Sequence, residues 1–369
     1  TERVAIDAQV DPSGIVATTR FEFQGNQSVF SRMLTAPGRA DATPAAFWHL
    51  PADADMAVFG RGSDPKLFER PRELLANLLV EAADAAGMPE AERRAVRELV
   101  ADRMLSLFTN GTGIYAKGFD QAGVERALAG TKVPKPGDIA GHDEANRALV
   151  EQVLGWHLYQ VGEPIAKVGP LLRDWSALWN RPTFARWAQS KASPGVLPRM
   201  RIAPAPPGAS LPKDAVHLEI SVPREDLELD PAAPPAGRAQ GKPAKPKKIA
   251  RKPVVFHLIA VPDGGATWLG FSLDAKLLAQ KAAASLASAP EAATLAKVGG
   301  HEALREGKMN AGGFATLRGL AVFTAVDGPD ERSPFGLLGA LPGKGATPLV
   351  FTGRGEAPTA TAKGGASAV

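Results

Sequence analysis

Two alternating apolar patterns, each interrupted by a turn signal, place the tightest limit on the fold of this 369-residue chain. The first covers residues 3–23, with Asp11-Pro12-Ser13-Gly14 in the middle. The second covers residues 254–273, with Pro262-Asp263-Gly264-Gly265 in the middle. An apolar residue at every second position buries one side of a strand, and a short loop with glycine joins antiparallel neighbours. The chain is therefore predicted to contain antiparallel β-hairpins.

Apolar residues at helical spacing predict two helical blocks, at residues 64–108 and 164–190. Gly87 is expected to end one helix of the first block, because glycine often follows the last turn. The apolar stripe of that helix consists of Leu74, Leu75, Leu78, Leu79 and Ala82. Strands and helices in separate runs predict an α+β fold, with antiparallel curved sheets and helices packed on one face.

A proline-rich stretch at residues 193–212 predicts a domain boundary, because proline interrupts both helices and strands. We therefore expect one α+β domain at residues 1–200, which includes both helical blocks. A second α+β domain is expected at residues 201–369.

An internally duplicated unit is an open alternative. Each predicted hairpin is followed by a predicted helix, at residues 27–34 and 274–287. A Leu-Pro turn, at Leu50-Pro51 and again at Leu211-Pro212, precedes a predicted strand in each half. Because these parts each occur twice, a repeated unit would explain them.

The positive charge of the chain is concentrated in a Pro/Ala/Lys-rich loop predicted at residues 231–253. Without its seven basic residues, 36 of the 43 lysines and arginines remain against 39 acidic residues. Three uses stay open: a solvated spacer, which is favoured, a site for an envelope polyanion, and a site for nucleic acid. Nucleic acid is disfavoured because the loop has no aromatic side chain on which bases could stack. The residues that would bind a polyanion are Arg238, Lys242, Lys245, Lys247, Lys248, Arg251 and Lys252.

Several kinds of catalytic site are excluded by what the sequence lacks. The chain has no cysteine, which excludes thiol nucleophiles, disulfides and iron–sulfur clusters. Residues 301–305 begin with His301 but end in arginine, where a helical zinc-protease motif needs its second histidine. No Gly-x-Ser-x-Gly elbow occurs. We predict no catalytic, metal-binding or cofactor-binding residues. His217 and His257, on strands expected to be neighbours, are predicted to form a satisfied pair rather than a site.

Tryptophans and carboxylates provide the remaining candidate sites. Trp156, Trp175, Trp179 and Trp187 are close in sequence and could line a groove for a sugar, peptide or lipid. Burial in the core is the favoured alternative, because large aromatic side chains dominate core packing. A hydrolase would need two carboxylates facing each other across a cleft. The acidic residues that could form such a pair are Asp53, Asp55, Asp120, Asp214 and Glu219.

Two features and one resemblance bear on location. No run of about 18 apolar residues occurs, so the sequence predicts no transmembrane helix. A strand is predicted from the first residue, Thr1, as expected of an exported protein whose leader has been removed. The chain also resembles a diffuse class of uncharacterised exported proteins from GC-rich bacteria, in residues 50–59 with the helices after them, 155–164 with the next helix, and 341–350. The resemblance implies a periplasmic or cell-envelope location in a Gram-negative bacterium and supplies no catalytic residue.

These observations predict a non-enzymatic exported or cell-envelope protein that binds a ligand or an envelope partner through its sheet or a helix groove. Binding is favoured over catalysis because apolar periodicity is abundant and no catalytic motif accompanies it. Two alternatives stay open: a hydrolase with dispersed acidic residues, and a scaffold that binds polyanions through residues 238–252.

Overall fold

The computed structural model of the chain describes residues 3–11, 14–24, 40–61, 65–109, 112–130, 149–191, 197–207, 209–228, 247–322, 337–338, 341–354 and 365–368. Its strands are β1 (Arg3–Asp11), β2 (Gly14–Gln24), β3 (Met56–Arg61), β4 (Thr112–Gly118), β5 (Trp156–Val161), β6 (Arg199–Ala203), β7 (Val216–Glu228), β8 (Lys247–Asp263), β9 (Ala266–Ser272), β10 (Ala311–Thr316), β11 (Pro348–Gly353) and β12 (Gly365–Ala368). Its α-helices are α1 (Ala45–Trp48), α2 (Glu69–Ala85), α3 (Glu90–Arg97), α4 (Leu105–Thr109), α5 (Gln121–Gly130), α6 (Ile165–Trp179), α7 (Pro182–Lys191), α8 (Ala275–Ala284), α9 (Glu302–Glu306) and α10 (Leu317–Ala321). A π-helical segment, Glu98–Met104, links α3 to α4, and residues 149–154 are also helical. Turns of 3-10 helix occupy Pro65–Phe68, Glu291–Ala293, Leu295–Lys297 and Pro342–Gly345.

Nine of these strands form one open sheet, in the order β11-β10-β3-β4-β5-β9-β8-β7-β6. All of its neighbouring strands are antiparallel. The other three strands form a separate antiparallel sheet in the order β1-β2-β12. This combination of antiparallel sheet and helices confirms the predicted α+β fold.

Both hairpins predicted from the alternating patterns are present. β1 pairs with β2 up to the Asp11–Gly14 pair, and β8 pairs with β9 up to the Asp263–Ala266 pair. Gly264 lies in the second turn with a φ of 62°. This is the left-handed region, which glycine adopts without the steric cost that a Cβ atom would bring. The turn residues therefore fixed where the chain reverses.

Three of the four repeated features fall within the described residues: the two Leu-Pro turns before strands and the helix after the second hairpin. Leu50 and Leu211 each lie a few residues before a strand, β3 and β7 respectively. The helix after the second hairpin is α8, and the Asp274 carboxylate caps it by accepting a hydrogen bond from Leu277 N at 3.0 Å. The predicted helix at residues 27–34 lies outside the described residues. Internal duplication therefore stays a prediction.

Helices cover both faces of the nine-stranded sheet. Along β5, Trp156 and Leu158 project into one core, while Tyr159 and Val161 project into another. The first core contains α1 and α8, with Phe47, Phe59, Trp268, Leu278 and Phe314 among its side chains. The second core contains α6 and α7, with Leu107, Val168, Leu171, Leu178 and Phe184 among its side chains. The expectation of helices on one face is corrected because successive residues of the central strands are apolar, so both faces must be shielded from water.

The proposed boundary near residue 200 falls inside the nine-stranded sheet. Residue 200 is Met200, the second residue of β6, so this strand spans the proposed boundary. Strands β3 to β5 come from the first predicted domain and strands β7 to β11 from the second, and β3 pairs directly with β10. In the first core, Ala57 of β3 packs in the same cluster as Phe314 of β10. The two predicted ranges therefore share one sheet and one core.

The apolar stripe predicted on α2 faces outward. Leu74 and Leu78 are 61% and 62% exposed, and Leu75 is 40% exposed. The buried positions of the helix are instead Ala76 and Ala83. The stripe was correct as a sequence pattern, but the neighbouring elements contact the narrow alanine side of the helix.

Among the described helices, none combines the length and the apolar character that crossing a lipid bilayer requires.

Candidate functional site

The four tryptophans do not line one groove. Trp156 is 1% exposed and lies in the first core. Trp175, Trp179 and Trp187 pack against the second core, on the opposite face of the sheet. The indole nitrogen of Trp179 donates to Pro198 O at 2.7 Å, and that of Trp187 donates to Ala86 O at 3.0 Å. These side chains therefore serve packing, which was the favoured alternative.

The basic segment is only partly described, and its last residues belong to a strand rather than a loop. Arg238, Lys242 and Lys245 lie outside the described residues, whereas Lys247, Lys248, Arg251 and Lys252 are in β8. The β7–β8 register places Glu228 opposite Lys247 and Arg224 opposite Arg251. β7 and β8 pair with each other although a long connection separates them, because the entropic cost of closing a loop rises only slowly with its length. Polyanion binding by the seven basic residues stays a prediction.

Most of the dispersed carboxylates are held by separate basic side chains. Asp53 forms an ion pair with Lys281. Arg126 contacts Asp120 at 3.0 Å, and Arg201 Nε donates to Glu219 Oε2 at 2.6 Å. Each of these carboxylates therefore has a cation of its own, which gives the hydrolase alternative no support from this set.

Asp55 is the most deeply buried of these acids, and sequence reasoning did not single it out from the others. Its side chain is 0% exposed and accepts a hydrogen bond from Arg318 Nε at 2.5 Å. It also accepts one from Thr316 Oγ1 at 3.0 Å. A buried carboxylate is tolerated only with such compensation. Asp55 therefore ties the start of β3 to the end of β10 and to α10.

The predicted meeting of His217 and His257 is confirmed. Their Nε2 and Nδ1 atoms lie 3.0 Å apart. Burial, followed by the adjacent His217, lowers the pKa of His257, while the carboxylates of Glu219 and Asp274 oppose the shift. The lowered pKa favours the neutral form of His257 at neutral pH, in which one ring nitrogen has a free lone pair.

A polar cleft with about 90 Å³ of space lies between residues 149–154 and the start of α8. Three carboxylates line it: Asp120, Glu151 and Asp274. Asp120 is paired with Arg126, and Asp274 caps α8. Since these acids already have partners, the cleft is a polar depression and not the apolar cavity that would suit a hydrophobic ligand.

The outer edge of β11 is an apolar surface that the sequence did not reveal. Within the described part of the chain, β11 pairs with β10 on one side and with no strand on the other. Leu349 and Phe351, two residues apart and therefore on the same face, are 50% and 48% exposed. Gly313 of β10 lies opposite Phe351, and a Cβ atom at Gly313 would come within 3.0 Å of the Phe351 ring. Any larger residue at position 313 would therefore crowd the Phe351 ring.

Further exposed leucines lie in α10 and beside the 3-10 turn that α10 contacts. Leu317 and Leu320 belong to α10, which packs on β10 and on the 3-10 turn Pro342–Gly345. Leu341 immediately precedes that turn. We use the name apolar edge for the set Leu317, Leu320, Leu341, Leu349 and Phe351.

The two edges of the sheet differ in charge. β6, at the opposite edge, carries Arg199 and Arg201, and Arg201 forms an ion pair with Glu219. Charged side chains on an edge strand discourage unwanted pairing. The sequence of β11, Pro-Leu-Val-Phe-Thr-Gly, contains no charge. Within the described residues, one edge strand of the sheet is therefore charged and the other is not.

Comparisons with protein-family models, with curated proteins and with solved structures give no match.

Proposed function

We propose that this protein is a non-enzymatic binding protein that recognises an extended segment of a partner polypeptide along β11. The observation that supports the proposal best is the uncharged outer edge of β11 with Leu349 and Phe351 half exposed beside it. In this mode of recognition the partner adds a strand to the sheet. Main-chain hydrogen bonds then supply affinity, and side chains at alternate positions supply specificity.

The expected energetics fit a transient partner. Full burial of a leucine or phenylalanine side chain is worth about 1.5–3 kcal/mol. Leu349 and Phe351 are already half covered, so a partner strand would gain roughly 2 kcal/mol from the two together. The leucines of the apolar edge and the new main-chain hydrogen bonds would add to this. The partner strand should therefore carry apolar residues at alternate positions.

The cellular setting belongs to the same proposal. We place the protein outside the cytoplasm, in the periplasm or cell envelope, because of the resemblance described above and the lack of cysteine. Polyanion binding by the basic segment is compatible with this setting and would bring the protein close to an anionic surface.

Strand addition is tested with fluorescein-labelled eight-residue peptides that alternate apolar and polar residues. We expect fluorescence anisotropy to detect binding of at least one peptide to the full chain. Phe351→Lys should weaken that binding at least about tenfold, because a charge on the partner-facing surface disfavours burial. Hydrogen exchange should show that the bound peptide slows exchange of β11 amides.

Thr352→Lys is the matched control, because Thr352 is exposed but lies on the other face of the same strand. Its affinity for the peptide should stay within about twofold of the wild type. If no peptide of the panel binds, or if both lysine variants bind as the wild type does, strand addition at β11 is refuted.

A further inference from the structure

We propose that His217, Glu219 and His257 bind a divalent transition-metal ion such as Zn²⁺. This site is on β7 and β8, towards the opposite side of the sheet from the apolar edge, so it does not depend on the proposed strand addition. Glu219 is directly opposite His257 in the β7–β8 register, and His217 precedes Glu219 by two residues. Because side chains alternate along a strand, all three project from the same face of the sheet.

The ligand atoms are already close together. His217 Nε2 and His257 Nδ1 are 3.0 Å apart, and one ligand atom from each of the three side chains lies within 4.8 Å of the others. Tetrahedral ligands with bonds of about 2.0–2.1 Å to zinc are separated by roughly 3.3 Å. The two imidazoles therefore need to move apart by only a few tenths of an ångström to admit an ion.

A backbone carbonyl determines which ring nitrogen of His217 faces away from the site. Pro204 O lies 2.7 Å from His217 Nδ1. A carbonyl oxygen can only accept a hydrogen bond, so Nδ1 carries the proton and Nε2 presents its lone pair to His257. Histidines that bind metals usually donate their second ring N–H in this way, which orients the ring. His217 is 4% exposed, and this bond holds it in place.

An ion can take the place of the proton between the two imidazoles without a change in the charge of either ring. With His217 neutral and its proton on Nδ1, the 3.0 Å contact is a hydrogen bond from His257 Nδ1–H to His217 Nε2. When the ion binds, the His257 ring proton moves from Nδ1 to Nε2, and Nδ1 becomes a ligand. The ring stays neutral, and the ion takes the place of the shared proton.

Glu219 supplies the negative charge of the site. Arg201 Nε donates to one of its oxygens, Oε2, at 2.6 Å, and a carboxylate has a second oxygen that can also accept a ligand bond. The Arg201 side chain is 69% exposed, so it can swing into solvent when a dication binds. Arg201 thus neutralises Glu219 in the metal-free state and competes with the ion.

Two imidazoles and one carboxylate select the chemical class of the ion. Nitrogen ligands suit zinc and its neighbours in the first transition row, whereas Ca²⁺ and Mg²⁺ prefer oxygen ligands. His257 and Glu219 are only partly buried, so water can complete the coordination.

The test is calorimetric titration of Zn²⁺ into the full chain after removal of metal with EDTA. We expect one ion per chain. His257→Gln should lower the affinity at least about a hundredfold and Glu219→Gln at least about tenfold, because loss of a direct ligand should cost no less than the roughly 10–100-fold typical of an outer-shell partner. Arg201→Gln should raise the affinity several-fold, because it removes a competing positive charge. His157→Gln is the matched control. His157 is also partly buried, but it bonds to Tyr115 on the opposite face of the sheet.

Cobalt provides a measurement that does not depend on variants that fold poorly. Co²⁺ added to the wild type should give visible absorption bands of a site with nitrogen and oxygen ligands, and Zn²⁺ should displace them. The proposal is overturned if the folded wild type binds neither ion at micromolar concentration. It is also overturned if binding survives in both His257→Gln and Glu219→Gln, since the ion would then be held elsewhere.

Discussion

At the scale of single residues, Asp55 is a buried carboxylate that connects elements distant in sequence. Its buried carboxylate accepts hydrogen bonds from Arg318 and Thr316, which follow β3 by more than 250 positions in sequence. Removing the negative charge would leave the partly buried guanidinium of Arg318 without its counter-ion. Losses of this kind are large because a charge then stays in a poorly solvated place.

Asp55→Asn should therefore lower the free energy of unfolding by about 3 kcal/mol, within the range observed when one partner of a buried ion pair is removed. Urea denaturation of the purified variants measures this directly. Asp53→Asn is the control, because Asp53 also pairs with a cation, Lys281, but its side chain is 53% exposed. That variant should lose less than about 1 kcal/mol. Equal losses of unfolding free energy in the two variants would show that burial does not make the Asp55 ion pair more stabilising than the exposed one.

At the scale of elements, α2 is a helix that the sequence pattern predicted correctly while it predicted the wrong side of the helix to be buried. Leucines at helical spacing predicted the buried side of this helix, yet its buried residues are Ala76 and Ala83. Small side chains allow a close approach between helices, and the leucines then stay outside. Hydrophobic periodicity identifies the helix but not the side to which its neighbours pack.

Two glutamine substitutions on α2 distinguish these orientations. Ala76→Gln places a polar amide in a buried position and should cost roughly 1–3 kcal/mol of unfolding free energy. Leu78→Gln, on the exposed side, should change it by no more than about 0.5 kcal/mol. Thermal unfolding followed by circular dichroism is sufficient to rank the two. The reverse order of stabilities would mean that the leucine side is buried.

At the scale of the whole molecule, the nine-stranded sheet ties together parts of the chain that the sequence suggested were separate. Its stability depends on histidines spread over distant elements. Burial is the largest cause that lowers the pKa values of His157, His257 and His301 below the ordinary value of 6.5. In the unfolded chain these side chains gain protons near pH 6.5, whereas the folded protein resists protonation until the pH is lower.

The unfolded state therefore binds more protons than the folded state as the pH falls below about 6.5, and stability should decrease in that range. We expect the urea midpoint to change little between pH 7.5 and pH 7 and to fall progressively from about pH 6.5 to pH 5.5. His157→Gln should make this dependence shallower, because it removes one of the groups involved. A midpoint that stays constant over this range would contradict the assigned directions of the pKa shifts.

Local sequence patterns determined much of this protein. The alternation around Gly264 and the turn before it predicted the β8–β9 hairpin, because strand pairing across a short turn depends on residues that are neighbours in the chain. The strand positions of His217 and His257 likewise predicted their contact. The α+β class followed from the same kind of information.

Only the tertiary structure decided which faces and edges of the elements are covered. The pairing of β3 with β10, the burial of Asp55 beside Arg318 and the exposure of Leu349 and Phe351 all depend on residues far apart in sequence. A strand has the same alternation whether it lies at the centre or the edge of a sheet. The apolar edge and the Arg201–Glu219 contact beside the two histidines could therefore be recognised only after the sheet order was known, because side-chain alternation says nothing about which strands are neighbours.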